Sequence, residues 1–129
     1  MLVVDASVLA PVVLEDGDDG DRMRARLRGE RVVAPDLAKL EAASVIRRVL
    51  ASGAVDQARA DQAVADLVDL PVLVFPTSPL LQRAWALRDN ITMYDACYVA
   101  LAEALACPLL TSDARLARAP GLQCAVEIA

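Results

Sequence analysis

Residues Leu2–Leu14 read LVVDASVLAPVVL, a short apolar run followed by an acid and then by a second apolar segment. The run Leu2–Val4 is continuous rather than alternating, as is typical of a parallel strand covered on both faces. The segment Ser7–Leu14 is expected to form a helix. The stretch therefore predicts a buried strand that leads directly into a helix, with Asp5 at the junction.

The same alternation of strand and helix continues along all 129 residues. Further strands are predicted at Val32–Ala34, Val72–Phe75 and Leu109–Leu110, with a weaker one at Ala125–Ile128. Further helices are predicted at Asp21–Arg28, Asp36–Ala51, Asp56–Leu70, Pro79–Arg88, Thr92–Ala106 and Ala114–Ala119. This pattern predicts an α/β domain with a mostly parallel sheet of four or five strands. The length and the absence of a linker predict one domain, residues 1–129.

The sequence contains no histidine, which excludes His-based triads, imidazole general bases and the usual zinc enzymes. Acidic residues number 18 and basic residues 13, so the formal net charge is −5. That balance is not typical of a passive nucleic-acid-binding protein, which usually has a basic surface. It is compatible with an enzyme that holds cations in a cluster of carboxylates.

The cysteines and the hydropathy of the chain indicate where in the cell the protein is expected. Cys97, Cys107 and Cys124 have no metal-binding spacing, and we expect them to be reduced thiols. Residues 2–14 are interrupted by Asp5 and lack a basic leader, so no signal peptide is expected. No stretch reaches the ~20 apolar residues that a membrane span needs. We therefore expect a soluble, cytoplasmic protein that makes no membrane contact.

The segment Glu15–Asp21, EDGDDGD, is the one compositionally biased part of the chain. A calcium loop that began at Asp16 would place Leu27 where a bidentate glutamate is required, so that interpretation fails. We expect a solvated loop that leads into the helix Asp21–Arg28, with acids at the positive end of the helix dipole.

Four carboxylates interrupt apolar sequence. Asp5 and Asp113 each follow a predicted strand, and the carboxyl ends of parallel strands line the ligand crevice of an open α/β sheet. Asp95 begins the apolar face of its helix, and Glu41 lies at the edge of the apolar arc of another. For Asp5 and Asp113 the structural alternative is helix capping. For Asp95 it is a capping box with Thr92, and for Glu41 a surface ion pair with an arginine.

An α/β sheet can bring these four carboxylates to one crevice. They would then repel one another and raise one another's pKa unless a cation neutralised them. An all-oxygen site favours Mg²⁺ or Mn²⁺ over softer metals. Such ions activate water and stabilise charge on a phosphoryl group, so we expect metal-assisted phosphodiester hydrolysis.

The order and spacing of four features carry a family resemblance. They are VVDASVL at Val3–Leu9, Glu41 in the helix after the second strand, YDACYVALAEAL at Tyr94–Leu105 and PLLTSDARLA at Pro108–Ala117. Over essentially its whole length the chain resembles PIN-domain nucleases and, within them, the small VapC-type toxins of toxin–antitoxin pairs. The resemblance implies a PIN-like three-layer sandwich with strand order 3-2-1-4-5.

The resemblance also implies roles for the four acids. It makes Asp5 and Asp95 ligands of Mg²⁺ or Mn²⁺, directly or through water. It implies that Asp113 helps to hold a second metal or a metal-bound water. Glu41 would position or deprotonate the attacking water.

The implied activity is endonucleolytic cleavage of single-stranded or looped RNA, leaving a 5′-phosphate and a 3′-hydroxyl. Ser7 and Thr111 match the family's small hydroxyl positions, which support the acids by hydrogen bonds.

The implied partners are a VapB-type antitoxin and a second copy of the chain in a homodimer. Met23 and Leu27 are candidates for an antitoxin groove. Candidates for guiding RNA phosphates are Arg47, Arg48, Arg83 and Arg88.

Two other functions stay open: a PIN-like binding or regulatory module with little catalysis, and a DNA-directed nuclease. Other α/β classes lack their required residues. A receiver domain needs a phosphoacceptor after the third strand and a later lysine, but Pro76-Thr77 follows that strand and Lys39 is the only lysine. An Asp-x-Asp phosphatase fails because residue 7 is serine, and a phosphate-binding loop lacks its glycines.

Overall fold

The computed structural model describes residues 1–129, which form one five-stranded parallel sheet flanked by helices. The strands are β1 (Leu2–Val4), β2 (Val32–Pro35), β3 (Leu73–Phe75), β4 (Leu109–Thr111) and β5 (Val126–Ile128). Their order is β3-β2-β1-β4-β5, and every neighbouring pair is parallel. The fold class and the strand order implied by the resemblance are confirmed.

Each predicted helix is present, with its ends shifted by a few residues. The helices are α1 (Ala6–Leu14), α2 (Asp18–Leu27), α3 (Ala38–Ala51), α4 (Gln57–Asp69), α5 (Leu81–Ala86), α6 (Met93–Leu105) and α7 (Ala114–Ala117). The predicted helix Pro79–Arg88 divides into a 3₁₀ turn at Ser78–Leu80 and the shorter α5. None of the helices combines the length and the apolar character that crossing a lipid bilayer would require.

The acidic segment Glu15–Asp21 is only partly the loop that was expected, because α2 already begins at Asp18. Three acids lie in the first turn of α2, where the positive end of the helix dipole stabilises them. Gly20 permits the close approach of this turn, since a Cβ there would lie 2.2 Å from the Glu15 carbonyl oxygen. The acids therefore form the start of the helix instead of preceding it.

The two central strands are the most deeply buried part of the sheet. The residues of β1 and the two leucines of β4 are at most 1% exposed. Their register pairs Val3 with Leu109 and Val4 with Leu110, so the two strands end side by side. Fully buried alanines, such as Ala42 of α3, let the helices approach closely where aromatic side chains are scarce. The residues that follow β1 and β4 therefore meet at one edge of the sheet.

Two arginines satisfy carbonyl groups at the C-terminal end of α1. Arg24 donates to the Val12 carbonyl at 2.9 Å. Arg59 donates to the carbonyls of Val13 and Leu14 at 2.9 and 3.0 Å. The last carbonyls of a helix have no partner within the helix, so these cations complete the hydrogen bonding. They also fix the end of α1 against α2 and α4.

Replacing Arg59 by methionine removes these hydrogen bonds while keeping an apolar stem. We expect the free energy of unfolding to fall by about 2 kcal/mol, because two backbone carbonyls lose a charged donor. Urea denaturation followed by circular dichroism measures the change. Arg47→Met, at an exposed arginine of α3, is the matched control and should change it by less than ~0.5 kcal/mol. Equal losses in the two variants would contradict this role of Arg59.

Candidate active site

A cleft of about 460 Å³ at the carboxyl edge of the sheet is lined by all four predicted carboxylates. Asp5 directly follows β1, and Asp113 lies two residues after the end of β4. Glu41 lies in the first turn of α3, and Asp95 lies in the first turn of α6. The fold therefore brings together acids that are up to about a hundred residues apart in sequence.

Asp5 is the most deeply buried of these acids, with 5% of its surface exposed. It caps α1, because its Oδ1 accepts the Ser7 backbone N–H at 2.8 Å and also the Ser7 hydroxyl. Burial raises the pKa of Asp5, while hydrogen bonds from Ser7 and Thr111 act against that rise. Helix capping and a place in the cleft, which are alternatives at the level of sequence, both hold for this residue.

Ser7 and Thr111 connect the ends of β1 and β4. Ser7 Oγ accepts the Ser112 backbone N–H at 2.9 Å and lies 3.4 Å from Thr111 Oγ1. Thr111 is fully buried, and its Oγ1 accepts the Asp113 backbone N–H at 3.0 Å. These hydroxyls therefore fix the backbone that carries Asp5 and Asp113, which is where a supporting role would place them.

Glu41 is held by Tyr98, a residue that the sequence analysis does not single out. The Tyr98 hydroxyl donates to Glu41 Oε1 at 2.6 Å, and Glu41 forms no surface ion pair with an arginine. Burial raises the pKa of Glu41 against the hydrogen bond from Tyr98, and the charges of Asp95 and Asp5 raise this pKa further. Tyr98 lies three residues after Asp95 on α6, so helical periodicity was the signal that could have identified it.

Asp95 and Asp113 have different surroundings. The Asp95 backbone N–H donates to Thr92 Oγ1 at 3.1 Å, which is one half of the expected capping box. Burial raises the pKa of Asp95 against a hydrogen bond with Thr92, and the charge of Asp113 adds to the rise. Asp113 caps α7 and accepts the Arg115 backbone N–H at 2.8 Å. Hydrogen bonds from the Arg115 side chain and backbone lower the pKa of Asp113.

The cleft thus contains three carboxylates with raised pKa values, those of Asp5, Glu41 and Asp95. A cation between them would relieve both desolvation and repulsion, so an oxygen-ligated divalent ion fits the chemistry of the site. No group of three or more acidic, cysteine or histidine side chains is arranged to hold an ion alone. Mg²⁺ usually binds one or two carboxylates and keeps several waters, so it does not require three protein ligands.

Comparison with known proteins agrees with the fold. Residues 2–122 match the PIN domain. The chain belongs to the PIN-domain family. Ribonuclease VapC1 of Mycobacterium tuberculosis is 42% identical over 130 residues, which cover 98% of this chain and 96% of that protein. This agreement over nearly the full length places the chain among the VapC-type PIN ribonucleases.

Solved PIN-fold structures show the same architecture. VapC20 of Mycobacterium tuberculosis, a Sarcin-Ricin loop cleaving toxin, superposes with a TM-score of 0.71 at 15% identity, covering 95% of this chain and 96% of that one. A chain of the VapBC2 complex from Rickettsia felis, bound to a DNA fragment from the promoter of the two proteins, gives a TM-score of 0.68 at 13% identity. The match covers 98% of this chain and 97% of that one. At these identities the likeness concerns the fold alone.

The PIN fold separates the arginines expected to guide phosphates. Arg48 is exposed and lines the acidic cleft. Arg83 instead binds Glu103 through two hydrogen bonds of 2.7 and 3.0 Å. The Arg88 guanidinium lies over the Trp85 ring, 4.8 Å from its centroid. Arg48 is therefore the best placed of these side chains to meet a phosphate next to the acids.

Asp5→Asn should raise the thermal stability of the metal-free PIN domain near pH 7, because it removes a buried charge and keeps an acceptor for the Ser7 N–H. We expect Tm to rise by roughly 4 °C, which corresponds to about 1 kcal/mol. Because the folded-state pKa of Asp5 is raised, the gain should disappear as the pH falls below the ordinary value of 3.8. Calorimetry in EDTA across this pH range measures both effects.

Asp113→Asn is the matched control, since Asp113 also caps a helix after a central strand. Arg115 lowers the pKa of Asp113, so the ionised form stabilises the fold at neutral pH and its loss should leave Tm unchanged or lower it. A fall in Tm for Asp5→Asn would show that the charge of Asp5 is not a burden on the fold, and an equal rise for both variants would show that the effect does not come from the burial of Asp5.

Proposed function

We propose that this chain is a metal-dependent endoribonuclease of the toxin type that hydrolyses RNA phosphodiester bonds. The proposed catalytic residues are Asp5, Glu41, Asp95 and Asp113. The observation that carries the proposal is the shared cleft, in which Asp5, Glu41 and Asp95 form no salt bridge with any arginine or lysine. Uncompensated carboxylates with raised pKa values are typical of functional sites. The 42% identity to the ribonuclease VapC1 supports RNA as the substrate.

Asp5 and Asp95 are the residues that we propose as holders of Mg²⁺ or Mn²⁺, directly or through water. Asp113 would help to hold a second ion or a water. When bound, such an ion neutralises the acids and stabilises charge on the phosphoryl group. The cleft would then attract an RNA phosphate although the net charge of the chain is −5. Arg48, at the same cleft, is placed to bind a neighbouring phosphate.

Glu41 is the proposed general base. Its Oε1 accepts the Tyr98 hydroxyl, so its Oε2 is left for a water molecule. The raised pKa of Glu41 makes this carboxylate a stronger base than an ordinary glutamate. The water oxygen bonds to phosphorus and its proton passes to Glu41, while the bond from phosphorus to the 3′ oxygen breaks. The 3′ oxygen takes a proton from solvent, which gives a 3′-hydroxyl and a 5′-phosphate.

The proposed protein partners are a VapB-type antitoxin and a second copy of the chain in a homodimer. The VapBC2 assembly of Rickettsia felis, which shares the fold, supports a two-component complex. A groove of about 620 Å³ beside the amino ends of β2 and β3 offers an apolar surface for an antitoxin helix. Leu27 lines this groove, whereas Met23 does not.

We place the activity in the cytoplasm, where the three free cysteines stay reduced.

Purified protein should cut a varied RNA pool in Mg²⁺ or Mn²⁺ and leave it intact in EDTA. Asp95→Asn should lower the rate by about 10²- to 10³-fold, because an amide cannot supply the charge that holds a cation. Asp61→Asn, at an exposed aspartate of α4, makes the same chemical change outside the cleft and should cleave like the wild type. Full cleavage in EDTA, or by Asp95→Asn, would contradict the mechanism.

Expression in a bacterial host should arrest growth, and Asp5→Asn should abolish the arrest. Arrest by the wild type without cleavage of the RNA pool would indicate a target too narrow for the pool. Neither arrest nor cleavage would favour a binding or regulatory module. Cleavage of DNA in place of RNA would favour a DNA-directed nuclease.

A further inference from the structure

We infer that Tyr98 is a positioning residue for hydrolysis, because its hydroxyl holds Glu41 in the one orientation that leaves a carboxylate oxygen free for water. The inference rests on the proposed function and assigns a role to a residue outside the four acids. The juxtaposition that carries it is the 2.6 Å hydrogen bond from the Tyr98 hydroxyl to Glu41 Oε1, which joins α6 to α3 across 57 residues of sequence.

Tyr98 is rigidly held. Only 2% of its surface is exposed, and it lies within the run Ala96–Ala102, every residue of which is buried. A large ring enclosed at this density has one available rotamer. The phenol oxygen is therefore a fixed point at the floor of the cleft, and Glu41 is partly exposed above it.

Glu41 needs such a fixed point more than Asp5 and Asp113 do. Asp5 and Asp113 have short side chains that cap helices and accept backbone N–H groups. Glu41 has a longer side chain in the first turn of α3. The only side-chain hydrogen bond of its carboxylate is the one from the Tyr98 hydroxyl. Without that bond, the carboxylate can sample several rotamers, so a base placed for attack is present only part of the time.

A structural explanation must be separated from this one, since a buried tyrosine also needs an acceptor for its hydroxyl. If Tyr98 only stabilised the fold, its loss would lower stability without selectively changing turnover. A positioning role predicts a change in kcat that depends on the presence of Glu41. The two explanations therefore differ in a double-mutant cycle.

The experiment measures kcat and KM for RNA cleavage in Mg²⁺ with Tyr98→Phe, Glu41→Gln and the double variant. Tyr98→Phe removes one oxygen, and we expect kcat to fall about tenfold with KM within about twofold of wild type. In the Glu41→Gln background, Tyr98→Phe should cause no further fall. Ser52→Ala removes an exposed hydroxyl at the end of α3, outside the cleft, and serves as the control that should leave kcat unchanged.

Wild-type turnover in Tyr98→Phe, or an equal tenfold fall in the Glu41→Gln background, would overturn the inference. Crystal structures of wild type and Tyr98→Phe give a second test that needs no activity. We expect one Glu41 conformer in the wild type and several, or a displaced one, in the variant; an unchanged Glu41 would also overturn the inference. A wild type that cuts no RNA would refute the proposed function instead, and the Glu41 conformers would still decide whether Tyr98 fixes this side chain.

Discussion

The parallel pairing of β1 with β4 is the constraint on which the rest of the structure depends. The Val3 N–H donates to the Pro108 carbonyl at 3.0 Å, and the Asp5 N–H donates to the Leu110 carbonyl at 3.2 Å. Because both strands end at the same level, the residues that follow them lie at one edge of the sheet. A shift of the register by one residue would turn the side chains of one strand to the other face and separate the acids.

Around this edge three carboxylates of the cleft form no salt bridge, whereas several acids elsewhere are paired with arginines. Arg83 neutralises Glu103, and Arg26 binds Glu127, both far from the cleft. Inside the cleft, burial and mutual repulsion raise the pKa of three carboxylates, and only Asp113 forms a salt bridge with an arginine. A cation bound among these carboxylates would relieve both their desolvation and their repulsion.

The acids are restrained in two different ways, and the difference follows from their positions. Asp5 and Asp113 follow strands and accept backbone N–H groups at the start of helices, so local chain geometry orients them. Glu41 lies in the first turn of α3, and the Tyr98 side chain of α6 holds it. The cleft therefore combines local capping by Asp5 and Asp113 with one long-range hydrogen bond to Glu41.

The alternation of strands and helices, the apolar runs that become central strands and the four acids that interrupt apolar sequence could all be predicted from the sequence. These features depend on the order of nearby residues, and the family resemblance added the strand order. The partners of the side chains became known only from the folded chain. It showed that α2 begins at Asp18, that Arg83 is bound to Glu103, and that Tyr98 holds Glu41. The last two contacts join residues 20 and 57 positions apart, and they arise only when separate helices pack against one sheet.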